Sequence, residues 1–151
     1  MHPDLWRFAE EFYRRPGVEA ACLQLQTQGA DVCLLLCALW CEVRKVPCTA
    51  QRIAALGNIA QPWQAQVVTP LRQLRQGWRS AAQDDPGLAD LREQVKTLEL
   101  EAERELLQRL ALHSRDWPSA DTPQPSGWLE QLAPATEHAA LQVLRDAAAR
   151  P

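Results

Sequence analysis

The longest uninterrupted apolar run in this 151-residue sequence is Val32-Cys33-Leu34-Leu35-Leu36-Cys37-Ala38-Leu39-Trp40-Cys41. Asp31 precedes the run and is suited to cap the first turn of a helix, whereas Pro47 follows it and ends that helix. A helix that is apolar on all sides has to be covered by its neighbours. The run is about half as long as a membrane-spanning helix, so it predicts the buried centre of a helical protein instead of a membrane anchor.

Amphipathic helices are predicted on both sides of this central segment, and strand patterns are scarce. Pro16-Gly17 separates two helices upstream of it. Downstream, Thr49 caps a short helix that is expected to end at Gly57-Asn58. The predicted helices cover about 4–15, 18–28, 32–45, 49–56, 62–81, 87–114, 127–132 and 135–150, the last two being parts of one stretch interrupted at Pro134. The sequence therefore predicts an all-α fold, a single compact domain of about six or seven helices over residues 1–151.

The fifth and sixth predicted helices, about 62–81 and 87–114, carry apolar residues at alternating spacings of four and three. This spacing is typical of paired helices. The turn Asp84-Asp85-Pro86-Gly87 joins them, so we expect a long antiparallel hairpin with Leu74 and Leu98 as buried core positions. Pro70 lies inside the first pattern and predicts a kink or a break near residues 67–69.

Residues 114–127 form a proline-rich segment, predicted to be a loop or linker before the C-terminal helical part. Trp117 and Trp128 bracket it. Tryptophan side chains on a protein surface often mark contact sites, and a proline-rich segment loses less entropy on docking than a glycine-rich one. We therefore expect Trp117 and Trp128 to bind a partner protein.

The chain has five cysteines, Cys22, Cys33, Cys37, Cys41 and Cys48. An odd number argues against a disulfide framework, and the spacings match no zinc signature. Their apolar neighbours favour a packing role, so the sequence predicts no metal and no cofactor. No secretory signal opens the chain, and together these features lead us to expect a cytoplasmic protein with no membrane association.

Charge is distributed unevenly along the chain. Residues 43–83 contain six basic and no acidic residues, and residues 84–105 contain eight acidic and three basic ones. Arg72, Arg75 and Arg79 lie on one side of the fifth predicted helix, where they either bind phosphate groups of a nucleic acid or pair with the acidic sixth helix. With an acidic overall pI, we favour internal pairing.

An acidic run on the sixth predicted helix consists of Glu99, Glu101, Glu103 and Glu105. Charge runs on helices are usually solvated, and we expect this face to be in contact with water. Glu103 is the one member without a basic neighbour at helical spacing.

One string of residues resembles a known family. It consists of Leu5-Trp6, Phe8-Ala9, Phe12-Tyr13, Arg15-Pro16-Gly17-Val18-Glu19-Ala20-Ala21-Cys22-Leu23, Gly29-Ala30-Asp31-Val32, Leu34-Leu35-Leu36 and Leu39-Trp40. This string is similar to that of small proteobacterial proteins known only as a domain of unknown function. The resemblance implies a bacterial, cytoplasmic, helical protein, and it supplies no activity or catalytic residue.

No catalytic motif, glycine-rich phosphate loop or metal-ligand pattern occurs, so no catalytic, cofactor-binding or metal-binding residue is assigned. The favoured function is a non-catalytic cytoplasmic interaction or regulatory protein that binds another protein, with a homodimer left open. One alternative is a nucleic-acid- or ribosome-associated module that uses Arg72, Arg75 and Arg79. A second is an enzyme or a small-ligand-binding helical protein with a pocket near the tryptophan-rich N-terminal half.

Overall fold

All regular secondary structure in the described residues, 4–120, 127–132 and 138–149 of a computed structural model, is helical. The all-α prediction is thus confirmed. The elements are α1 (Leu5–Tyr13), α2 (Val18–Thr27), α3 (Val32–Val43), α4 (Ala50–Trp63), a π-helical segment (Gln64–Val68), α5 (Thr69–Gly77), α6 (Arg79–Ala82), α7 (Pro86–Ser114), α8 (Trp128–Leu132) and α9 (His138–Ala149). Residues 121–126 of the proline-rich segment and the break expected at Pro134 lie outside the described residues.

Helix α3 is the centre of the fold. Every residue from Cys33 to Cys41 is buried, and α1, α2, α4, α7, α8 and α9 all contact this helix. The Asp31 carboxylate caps it by accepting a hydrogen bond from the Leu34 N–H at 3.1 Å, as the sequence predicts. Four of the five cysteines are buried and Cys48 is half-buried, which confirms the expected packing environment. No helix in the described part of the chain has the length and apolar character needed to cross a bilayer.

The turn between α1 and α2 is held closely against the C-terminal helix. Gly17 has a φ of 82°, in the left-handed region that favours glycine. A Cβ atom at this position would lie 3.3 Å from Val143 Cγ1 of α9. Both the backbone conformation and the close approach therefore require glycine where the sequence ends the first helix.

Helix α4 is longer than predicted. Thr49 caps it by accepting from the Arg52 N–H at 3.1 Å, but the helix continues through Gly57 and Pro62 to Trp63. Our prediction that Gly57-Asn58 ends this helix is wrong. Leu56 and Ala60 are completely buried, and this packing outweighs the penalty of about 1 kcal/mol for a glycine inside a helix.

The irregularity expected near Pro70 is the π-helical segment. The Thr69 N–H bonds to the carbonyl of Gln64, five residues earlier in the chain, whereas an α-helix joins residues four apart. Pro70 lacks an N–H and cannot extend a regular ladder there. The chain stays helical from α4 into α5, so the predicted boundary near Pro62 is also wrong.

Helix α5 packs against α7, but only part of the apolar pattern identified in the sequence is buried there. The residues buried between the two regions are Val68, Val95, Glu99 and Ala102, whereas Leu74 is 43% exposed and Leu98 is 50% exposed. The assignment of Leu74 and Leu98 as core positions is therefore wrong. The Arg75–Glu99 ion pair, at 2.6 Å, fixes the rotation of α5 about its axis, and apolar periodicity cannot report such a constraint.

Truncation of two leucines on α7, one buried and one exposed, should lower the free energy of unfolding by different amounts. Leu106 is fully buried in the main core, so Leu106→Ala should lower the free energy of unfolding by about 2–5 kcal/mol. Leu98→Ala should lower it by about 1 kcal/mol or less, because half of that side chain is already in solvent. Chemical denaturation measures both values, and equal losses would contradict the burial of Leu106 and the exposure of Leu98 on α7.

Arg44, directly after α3, closes the C-terminal end of α7. Its guanidinium is buried and lies 4.2 Å from the centre of the Trp40 ring. It donates to the carbonyls of Ser114 at 3.3 Å and Arg115 at 2.7 Å. These carbonyls carry the partial negative charge of a helix C-terminus, which a cation stabilises.

Arg44→Ala should lower the free energy of unfolding by about 2–3 kcal/mol, since it leaves buried carbonyl groups without a charged donor. Arg79→Ala, at an exposed position on α6, is the control and should change it by no more than about 0.5 kcal/mol. Urea denaturation of the two variants checks this, and a loss at Arg44 no larger than that at Arg79 would refute the capping role.

Candidate ligand-binding cavity

A cavity of about 460 Å³ lies among α1, α2, α3, the π-helical segment, α5 and α7. Its volume is within the range of sites that bind small molecules. Its apolar lining consists of Trp6, Ala9, Leu23, Ala30, Val32, Leu36, Leu100 and Leu107. The charged and amide side chains that line it are Glu10, Gln26, Asp31, Gln64, Arg72, Arg75, Glu99 and Glu103. The cavity thus combines an apolar surface with a cluster of charges.

Glu99 is the most tightly bound carboxylate of this cluster. It is 6% exposed and accepts two hydrogen bonds from Arg75, at 2.6 Å and 3.2 Å. Arg72 lies 3.5 Å from its second oxygen. The expectation that this face of α7 is solvated is therefore wrong for Glu99, which turns inward because two guanidinium groups on α5 neutralise it. Lys96, three residues before Glu99 on α7, pairs with Glu93, at 2.9 Å.

Glu103 lies one turn further along α7 and is less well compensated. Among the described residues it forms one ion pair, with Arg72 at 4.0 Å, and its side chain is 31% exposed. Burial raises the pKa of this carboxyl to about 7, and nearby Arg72 only partly opposes the shift. Glu103 is also the residue whose lack of a basic helical neighbour was visible in the sequence.

Asp31 connects the cap of α3 to the cavity. Besides capping α3, its Oδ1 accepts from Gln64 Nε2 at 2.9 Å, and burial raises the pKa of its carboxyl. Gln64 belongs to the π-helical segment, and such segments occur frequently at functional sites. Sequence reasoning identified Asp31 as a cap only, because the cap signal is local whereas the contact with Gln64 is not.

The tyrosine and the cysteine that line the cavity are neutral at physiological pH. Burial raises the pKa of Tyr13 to about 12, and burial also raises the pKa of the Cys33 thiol well above its usual value. A buried thiol of this kind is unreactive. The described residues contain no group of three or more histidine, cysteine or acidic side chains arranged to hold a metal ion.

The three arginines of the predicted stripe do not form one surface. Arg72 and Arg75 line the cavity and pair with acidic residues of α7, whereas Arg79 is exposed on α6 and does not line the cavity. Gln26 also faces Arg72, and its amide oxygen is the atom that can accept from this guanidinium. The internal pairing favoured from the sequence therefore describes Arg72 and Arg75.

The two bracketing tryptophans lie outside the cavity. Trp128 is 2% exposed, and its Nε1 donates to the Val46 carbonyl at 2.8 Å. Its ring stacks on half-buried Trp117 at 6.1 Å, and Arg52 lies 5.0 Å from the Trp117 ring centre. Trp128 is thus a core residue, and the premise of an exposed aromatic pair is wrong for it. Partner binding through these residues stays a prediction.

We expect Glu103→Gln to change how stability depends on pH. Because the folded-state pKa, about 7, lies above the ordinary value of 4.5, Glu103 contributes stability below pH 4.5 that is lost as pH rises through 7. The melting temperature of Glu103→Gln should therefore equal that of the wild type near pH 4 and exceed it at pH 8. Calorimetry with exposed Glu101→Gln as control tests this, and a lower melting temperature for Glu103→Gln at pH 8 would contradict it.

Comparison with protein families matches residues 4–110 to a family described as "Protein of unknown function (DUF2390)". All residues that line the cavity lie inside this range, whereas Trp117, Trp128, α8 and α9 lie beyond it. No curated protein and no solved structure matches the chain. Because the match extends over more than half of its length, the chain belongs to the DUF2390 family of proteins of unknown function.

Proposed function

We propose that this protein binds a small, partly apolar organic molecule in the cavity bounded by α1, α3, α5 and α7. The observation that carries the proposal is the pairing of an apolar surface with a charged cluster in a space of about 460 Å³. Ligand sites are typically apolar with a few convergent polar groups that fix orientation. The cysteines, none of which is in a disulfide, support a reducing compartment, and we place this function in the cytoplasm.

The polar groups of the charged cluster hold one another in place. Arg75 holds Glu99 through two hydrogen bonds, and Gln64 holds Asp31 through one. Fixed polar groups do not have to be ordered at the moment of binding, so less of the binding free energy is lost. This arrangement supports a binding site over an accidental gap in packing.

The arginine stripe gives less support to the nucleic-acid alternative. Arg72 and Arg75 would have to leave the Glu99 carboxylate before they could contact phosphate groups. Breaking a buried ion pair leaves an uncompensated charge, which costs about 3–5 kcal/mol. We therefore rank nucleic-acid binding below ligand binding. Binding of a protein partner also remains an alternative.

A second candidate is an enzyme that uses Glu103 to transfer a proton. The observation in its favour is that burial raises the pKa of this carboxyl to about 7, where an acid–base catalyst is most effective. Recovery of a bound molecule unchanged after prolonged incubation favours the binding protein, and chemical conversion of it favours the enzyme. Mass spectrometry of the recovered molecule separates the two.

The test uses ligand-observed NMR with three probes that share one carbon skeleton: hexylamine, hexanol and hexanoate. We expect at least one probe to bind the wild-type protein and to lose binding in Leu100→Trp. Leu100 lines the cavity and is 58% exposed, so an indole ring can enter the cavity without displacing the core.

Leu98→Trp is the matched control, since Leu98 lies on the same helix with 50% exposure and does not line this cavity. Binding should persist in that variant. The proposed function is refuted if none of the three probes binds, or if both tryptophan variants bind as well as the wild type.

A further inference from the structure

We propose that the ligand is an amphipathic organic amine, whose ammonium group pairs with the Glu103 carboxylate while its carbon skeleton packs on the apolar lining of the cavity. This inference rests on the proposed function, because it concerns the same cavity. It assigns the chemical class of the ligand and the residue that selects it.

The balance of charge around the cavity favours a cation. Four carboxylates line it, from Glu10, Asp31, Glu99 and Glu103, against the two guanidinium groups of Arg72 and Arg75. The excess is negative, and it is largest when Glu103 is ionised. Since the wall around these groups is largely apolar, the excess charge is screened less than it would be on an open surface.

The hydrogen bonds inside the cluster distinguish Glu103 from Glu99 and Asp31. Arg75 engages both oxygens of Glu99. Asp31 accepts from a backbone N–H and from Gln64. Among the described residues Glu103 has the long 4.0 Å contact with Arg72 as its ion pair, so its oxygens can accept further donors.

An anionic ligand is disfavoured by the same contacts. The cations that it would need are Arg72 and Arg75, and both lie against Glu99, at 3.5 Å and 2.6 Å. A carboxylate or phosphate entering the cavity would also lie near Glu103, which Arg72 compensates only from 4.0 Å. Two like charges close together inside a protein repel each other, which weakens binding of an anion.

The apolar lining sets the second requirement on the ligand. Trp6, Leu36, Leu100 and Leu107 offer a surface that a small ammonium ion alone would leave uncovered. Each methylene group that is buried on this surface strengthens binding through the hydrophobic effect, so an amine with a hydrocarbon skeleton is favoured over a compact cation. Metal ions are not favoured either, because the described residues hold no suitable cluster of ligand atoms.

The test compares hexylamine, hexanol and hexanoate at pH 8 in isothermal titration calorimetry, with Glu103→Gln and Glu101→Gln. Hexylamine should bind wild-type protein more tightly than hexanol, and hexanoate most weakly. Glu103→Gln should weaken hexylamine binding at least about tenfold and leave hexanol binding within about twofold, since only the amine loses a charge-assisted hydrogen bond. Glu101 is exposed on the same helix and does not line the cavity, so Glu101→Gln should bind all three probes as the wild type does.

Hexylamine binding should also strengthen from pH 6 to pH 8, whereas hexanol binding should not. The groups facing Glu103 that share the cavity are Glu10 and Tyr13 on α1, Asp31 and Cys33 at α3, Arg72 and Arg75 on α5, and Glu99 on α7. Of these, Tyr13 and Cys33 remain neutral through this range and the arginines remain charged. If Glu103→Gln keeps the increase, the titrating group is another carboxyl and the assignment to Glu103 is overturned.

The outcomes distinguish this inference from the proposed function. Tighter binding of hexanol or hexanoate than of hexylamine overturns the amine class while leaving a ligand cavity. Equal weakening of hexylamine and hexanol by Glu103→Gln shows a structural effect and also overturns the inference. Absence of binding by all three probes refutes the proposed function itself.

Discussion

The burial of α3 on all sides is the constraint on which the rest of the fold depends. A helix whose residues from Cys33 to Cys41 are all buried has no polar face to present to water, so its hydrophobic stabilisation requires neighbours all around it. Among the described residues six other helices contact α3. They come from both ends of the chain, from α1 to α9, so the connections between them have to return the chain to α3 repeatedly. Arg44, at the end of α3, donates hydrogen bonds to the carbonyls of Ser114 and Arg115 and so links α3 to the C-terminus of α7.

The cavity lies where α5 and α7 meet through charged side chains, next to the start of α3. Arg75 and Glu99 set the distance and rotation between α5 and α7, and the space left beside them is bounded by α1 and the start of α3. Burial raises the pKa of Glu103 there, so ionising this carboxyl costs stability of the folded protein. Residues that reduce stability for no packing benefit are characteristic of functional sites, where activity and stability conflict.

Local signals in the sequence predicted much of the secondary structure. The caps at Asp31 and Thr49 and the turn at Pro16-Gly17 depend on neighbours a few residues away, and they are found where the sequence placed them. The course of α4 through Gly57 could not be predicted in this way, because the burial of Leu56 and Ala60 by distant helices decides it.

The cavity could be predicted even less well, because it is formed by residues that are distant in the sequence. Its residues were visible singly, as a cap at Asp31, a basic stripe at Arg72 and Arg75, and an acidic run with one unmatched member, Glu103. Nothing in the spacing of residues along one helix shows which face of α7 meets which face of α5. The inward rotation of Glu99 follows from contacts about 24 residues apart along the chain, and only the folded structure brings those together.

The π-helical segment acts as an extra residue in an otherwise continuous rod from α4 to α5. Successive residues of an α-helix are rotated by about 100°, whereas a π-helical turn holds one residue more, so it takes up the extra residue without turning the helix that follows. Deleting a single residue between Gln64 and Val68 would therefore restore regular helix geometry and leave Arg72 and Arg75 facing Glu99. In evolutionary terms, this stretch can lose one residue, and a descendant shortened here would keep both its helices and the charged side of its cavity.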